Sequence, residues 1–204
     1  LVKGSTLKVE LDGGRIILQC GSGKRSQMAA EQCQKAGLPV ATVPLRVMAA
    51  LPGSGVVVLG GNQPRAEMRA AMADASLDQR LGPEALARQQ DAIRTGHCDL
   101  LPASQLAPMA RIQIARDRAM AQTLTEAAAG AADGQVVVLV AGTEHVRRGL
   151  GVPVHLDPAL ARGLRVVLMS AGGGAATPEA DRVWSTPAQP ARDHCTELRQ
   201  RWRR

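Results

Sequence analysis

The sequence predicts an α/β protein, with a mostly parallel sheet flanked by helices and a smaller helical subdomain. Three observations carry this. Short runs of valine and leucine at 56–59, 136–140 and 166–169 end in or near glycine or serine, as buried parallel strands do. Helical apolar spacing fills the stretches between them. Strands alternating with helices close into a parallel sheet through right-handed crossovers, and 204 residues suit one domain of ordinary size.

Taken in order, Leu7–Leu11 and Ile16–Cys20 flank Asp12-Gly13-Gly14, a tight-turn sequence, so a hairpin is expected there. Gly21-Ser22-Gly23-Lys24 has the look of a phosphate loop. It lacks the glycine five positions before Gly23 and carries Arg25 where Ser or Thr would meet magnesium, which excludes it. Val56–Leu59 reads as a strand ending in Gly60-Gly61-Asn62. Arg65–Met72 follows as a helix with Pro64 near its first turn. Pro83–Arg94 is a second helix, with Leu86 and Ile93 on one side, and it stops at Gly96. Ser104 is placed to cap a long helix reaching about Ala129, its buried stripe being Leu106, Met109, Ile112, Ala115, Ala119 and Leu124. Gly130 and Gly134 break it. Val136–Val140 is the clearest strand, with Val166–Met169 as its expected neighbour, followed by Ser170 and Gly172-Gly173-Gly174. The polar last 15 residues read as helical.

Composition narrows the function classes. The chain has no Phe and no Tyr, and its two Trp are Trp184 and Trp202. Leu, Val, Ala and Met must therefore fill the core. The net charge is +7, yet it is concentrated in residues 1–46 and in Arg199, Arg201, Arg203 and Arg204. The remaining body is nearly neutral. Without a basic stripe interleaved with aromatics, a nucleic-acid partner is not expected. No run of 18 apolar residues suggests a membrane span. Cys20, Cys33, Cys98 and Cys195 fit neither a CxxC pair nor a zinc ribbon. In an oxidising compartment Cys98 and Cys195 could pair, a point the sequence leaves open.

The richest segment for chemistry is Ala141-Gly142-Thr143-Glu144-His145-Val146-Arg147-Arg148-Gly149-Leu150-Gly151-Val152-Pro153. It sets an imidazole just past a buried strand, with two guanidinium groups behind it. Imidazole ligates iron or zinc or moves protons near neutral pH, and arginine grips carboxylates. A histidine that merely hydrogen-bonds a loop fits the residue types equally well. Ligands in open α/β sheets sit at the carboxyl ends of strands, which nominates Asn62, Glu144, His145 and Ser170. Gln113, Arg116, Asp117 and Met120 share a helical face, either bordering a ligand or tying the helix to the sheet. His97 either lines the cleft or caps the preceding helix. Met109 reads as core, and His155 and His194 read as surface residues. Ser170 does not sit in GxSxG, so no nucleophile elbow is indicated.

Several of these segments together resemble the ChaN-like haem-binding uptake proteins of the Tiki superfamily. The 141–153 segment is similar to that family's "GNGHVRRDLGVP" signature, with Thr143, Glu144 and Gly149 as departures. Gly96-His97-Cys98 with Leu101-Pro102 resembles "GHC…LP". Met109 and Gln113 to Ala121 resemble the "M…Q..RD..MA" helix, Gly60 to Arg65 the "NLPR" turn, and Val183 to Ala188 "VWFTPA", with Ser185 replacing Phe. The resemblance covers roughly 47–204 and leaves 1–46 as an atypical leading segment, with a helical insertion at about 74–129. Confinement of all four lysines to the first 35 residues suggests a separate history for that segment, such as a shifted reading frame, a truncated gene or an appended sequence.

The resemblance implies haem binding in iron acquisition at the bacterial envelope, periplasmic or associated with the outer membrane. Membrane attachment would come only through a lipid anchor outside these residues. It implies haem and its iron as the cofactor, with a homodimer and an outer-membrane haem receptor as candidate partners. Members use a tyrosine as iron ligand, which this chain cannot do. The implied cofactor-binding set is therefore His145 as the metal ligand, Arg147 and Arg148 near the haem propionates, and Asn62, His97, Gln113 and Arg116 around them. The expectation is a binding protein rather than an enzyme. The alternatives are a metal-dependent hydrolase, with Glu144 as base and His145 as ligand, or a non-functional remnant.

Overall fold

Parallel strands rich in valine and leucine form two small sheets in a computed structural model, which describes residues 15–18, 57–186, 188 and 193–202. The chain divides into two compact units. One holds Leu1–Asn62 and Gln122–Gly142, the other Gln63–Ala121 and Thr143–Arg204.

In the first unit, β1 (Arg15–Leu18) lies between β2 (Val57–Gly60) and β3 (Val137–Val140), parallel to both. Ile16 is in register with Val58 and with Val138. This corrects the expected hairpin. Ile16-Ile17-Leu18 is a continuous apolar run, the pattern of a parallel strand within a sheet rather than an alternating hairpin arm. The arm expected at Leu7–Leu11, and the rest of the leading segment, lie outside the described residues.

The second unit opens with a 3-10 turn at Arg65–Glu67 and helix α1 (Met68–Ala73), then a 3-10 stretch at Ala75–Arg80. Asp74 caps that stretch by accepting the Ser76 N–H. Helix α2 (Pro83–Gly96) begins with proline, which needs no N–H partner in the first turn, and carries Glu84 in its first turn and Arg94 in its last, matching the helix dipole. After it, Cys98 and Asp99 both adopt left-handed φ, 57° and 58°, a conformation that strains non-glycine residues. The turn is held by the Asp99 N–H on the Arg94 carbonyl, an Arg94–Asp99 ion pair, and a disulfide from Cys98 to Cys195. The pairing that the sequence left open is therefore formed.

Helix α3 (Ala103–Ala129) contributes to both units. Ser104 lies inside its first turn and does not cap it. Its buried residues are Ala110, Ile112, Ile114, Arg116, Asp117, Met120, Ala121, Leu124 and Ala127. Of the expected stripe only Ile112 and Leu124 are fully buried; Leu106, Met109, Ala115 and Ala119 are half-buried. The buried stripe instead runs through Ala110, Ile114, Asp117, Ala121 and Leu124, and takes in a carboxylate that an apolar pattern leaves out. Ile114 packs with Ala71, Leu77, Leu81 and Leu150.

Short helix α4 (Thr143–Val146) follows β3, then a 3-10 turn at Val152–His155 and helix α5 (Pro158–Gly163), capped by the Asp157 carboxylate on the Ala159 N–H. Strands β4 (Val167–Ala171) and β5 (Arg182–Thr186) form a separate parallel pair, with Met169 opposite Trp184. Among the described residues β3 thus pairs with β1 and not with the 166–169 strand, contrary to expectation. An apolar run marks a parallel strand without marking its neighbour. The final helix α6 (His194–Trp202) forms as expected. Among the described residues no helix is long and apolar enough to cross a membrane.

Candidate functional site

The site is built where α3 and α4 meet within the second unit. Helix α4 forms directly after the glycine at the end of the β3 turn and presents His145, whose side chain is 11% exposed. Its Nδ1 lies 2.5 Å from Oδ1 of Asp117, which is 2% exposed. Burial pushes the Asp117 carboxyl above the usual carboxylate range, while the His145 hydrogen bond and the charges of His145 and Arg116 pull the other way. The imidazole is therefore anchored at one nitrogen by a nearly water-free oxygen.

The loop after His145 is fixed from several sides. At Gly151 a Cβ would come 2.1 Å from the His145 carbonyl oxygen, so only glycine lets the chain pass this close. The Gly151 N–H donates to the Arg147 carbonyl at 3.0 Å. Glu179 accepts the Gly149 N–H and also binds Arg88, whose other Nη donates to the Gly149 carbonyl at 2.8 Å. The Gly149 N–H first, then the Arg88 guanidinium, hold the Glu179 carboxyl below the usual carboxylate range.

The two arginines behind the histidine differ. Arg147 pairs with Glu144 one helical turn back, at 3.1 Å, and both side chains are well exposed. Such a pair is worth little and is released at small cost. Arg148 is committed further: its guanidinium pairs with Asp181 and donates to the Leu164 carbonyl at 3.2 Å. Asp181 also accepts the Val166 N–H that leads into β4.

The remaining nominees are scattered. His97 ends α2 and places Nδ1 2.8 Å from the Ile93 carbonyl, realising the capping alternative. Gln113 and Arg116 lie on α3, half-buried and buried respectively. Asn62 follows β2 and belongs to the first unit. His155 is not a surface residue. Its Nε2 is buried without a hydrogen-bond partner, and burial, with the charges of Arg118 and Arg80, pushes its pKa down to about 4. His194 is exposed, as expected. Among the described residues no three His, Cys, Asp or Glu side chains gather as a metal-binding group.

Sequence reasoning placed Asp117 only on a helical face that either borders a ligand or ties the helix to the sheet, and gave Glu179 and Gly151 no role of their own. Asp117 had a signal, since it falls on the same helical face as Gln113 and Met120. Glu179 had none, because its partners are 30 and 91 residues away.

The profile of a family described as haem-binding uptake, Tiki superfamily, ChaN, matches residues 29–156, which is 128 of the 204 residues and includes both Asp117 and His145. The fold is similar to that of a solved structure from Campylobacter jejuni, "Cofacial heme binding to ChaN of Campylobacter jejuni". The TM-score is 0.53 at 18% identity, covering 85% of this chain and 73% of that one. No curated protein matches the chain.

Proposed function

Because the chain belongs to the haem-binding uptake family of the Tiki superfamily, ChaN, we propose that it binds haem, with His145 as iron ligand, and serves haem or iron uptake at the bacterial envelope. The donor chemistry fits the group. The chain has no tyrosine, and imidazole is an established haem ligand. His145 is held at Nδ1, which leaves Nε2 as the ligating atom. When bound, haem supplies a ferric or ferrous iron centre and two carboxylates. Arg147 is the better placed of the two arginines to meet a propionate, because its pairing with Glu144 is exposed and weak. Arg148 chiefly fixes the loop through Asp181.

The observation that carries this reading is the His145–Asp117 contact inside the matched stretch. The Cys98–Cys195 disulfide supports an oxidising compartment such as the periplasm, with a lipid anchor and an outer-membrane haem receptor as further parts of the proposal. A second protomer sharing the haem is proposed on the same footing. Haem titration followed by the Soret band tests the core of it. Saturable binding by the wild-type chain, weakened in His145→Ala, is the expected result; a wild-type chain that fails to bind haem overturns it.

A further inference from the structure

We propose that Asp117 is the positioning residue of the haem ligand, fixing the His145 tautomer that leaves Nε2 for iron and biasing the site toward ferric haem. This rests on the reading of His145 as ligand given above.

Asp117 sits in the middle of α3, on the buried stripe with Ala110, Ile114 and Ala121, so packing holds its carboxylate in place. Its Oδ1 meets His145 Nδ1 at 2.5 Å. A carboxylate only accepts, so the hydrogen of this bond belongs to Nδ1 and the imidazole lone pair remains at Nε2. At 2% exposure the bond is sheltered from water, where charge-assisted hydrogen bonds are strongest. Carboxylates behind ligating histidines orient the ring and strengthen it as an electron donor. A more strongly donating imidazole would favour Fe(III) over Fe(II), since hydrogen bonding to a haem ligand tunes the potential. A purely structural tie between α3 and α4 would fix the same tautomer but would leave haem binding indifferent to the charge at position 117.

Three measurements on the full chain decide this. In the haem-free wild type, nitrogen NMR of His145 should show hydrogen on Nδ1 and a bare Nε2; hydrogen on Nε2 overturns the proposal. Asp117→Asn keeps the size and removes the charge. It should lower the ratio of ferric to ferrous haem affinity about tenfold, an upward shift of about 59 mV for one electron, with partial rescue in Asp117→Glu. If that ratio is unchanged while His145→Ala still abolishes the Soret change, Asp117 only packs and the proposal falls alone. If His145→Ala binds haem with an unaltered spectrum, the reading of His145 as ligand falls and takes this proposal with it. Should Asp117→Asn fail to fold, the same affinity ratio in Asp117→Ser decides, with a fall of about tenfold expected and an unchanged ratio overturning the proposal.

Discussion

Glu179 accepts the backbone N–H of Gly149 at 2.8 Å across 30 residues of chain, and so a carboxylate from the turn before β5 sets the path of the loop that follows the candidate ligand. Glu179→Gln loses the charge on this bond and on the Arg88 contact. The expected cost is about 1–2 kcal/mol of stability, read by urea denaturation, with faster exchange of the Gly149 amide. Because the folded carboxyl lies below its ordinary value, its contribution is present above the unfolded glutamate pKa. It is lost as pH falls through the folded one.

Gly151→Ala forces a Cβ against the His145 carbonyl. A loss of about 2–4 kcal/mol is expected, with reduced haem affinity because the ring is displaced. Gly163→Ala, where a Cβ meets nothing within 4 Å, should be neutral or slightly stabilising. Thermal melts of the two variants make the comparison.

Reducing the Cys98–Cys195 disulfide opens a link between residues 97 positions apart. The unfolded chain gains freedom, and a loss of about 2–4 kcal/mol is expected. Guanidinium titrations with and without dithiothreitol check it, and Cys195→Ser should reproduce the reduced curve.

His155 stays neutral in the fold, its pKa pushed down to about 4 from 6.5. The unfolded chain therefore binds the extra proton between those values, and stability falls as pH drops from 6.5 toward 4. Solvent screening holds the effect to on the order of 1–2 kcal/mol. His155→Leu should flatten this part of the stability profile and leave pH 7 stability unchanged or raised, since it removes a buried nitrogen without a partner.

The elements were legible in the sequence where one pattern dominates. Helix α3 runs from Ala103 to Ala129 against an expected Ser104 to about Ala129, and the valine run at 136–140 contains β3, Val137–Val140. What the sequence hid is of two kinds. Strand order is a long-range property, so nothing in Ile16-Ile17-Leu18 or in Val137–Val140 announces that the two pair. Buried polar residues contradict their own type: His155 reads as a surface residue because imidazoles often are, and Asp117, on a face that either borders a ligand or ties the helix to the sheet, gives no sign of being almost wholly buried. His145 was legible by its place after a strand, whereas its partner required coordinates.

The position of β1 between β2 and β3 makes these four residues the keystone of their sheet. Among the described residues the two outer strands pair only with β1, so removing Arg15–Leu18 leaves this sheet's two described strands without a ladder. The last of the three partners is synthesised far downstream of the first, so the ladder closes only through distant contacts, the kind that slow folding. Shortening the chain past Arg15–Leu18 should therefore impair assembly of this sheet, although Asp117 and His145 both lie far downstream of the cut.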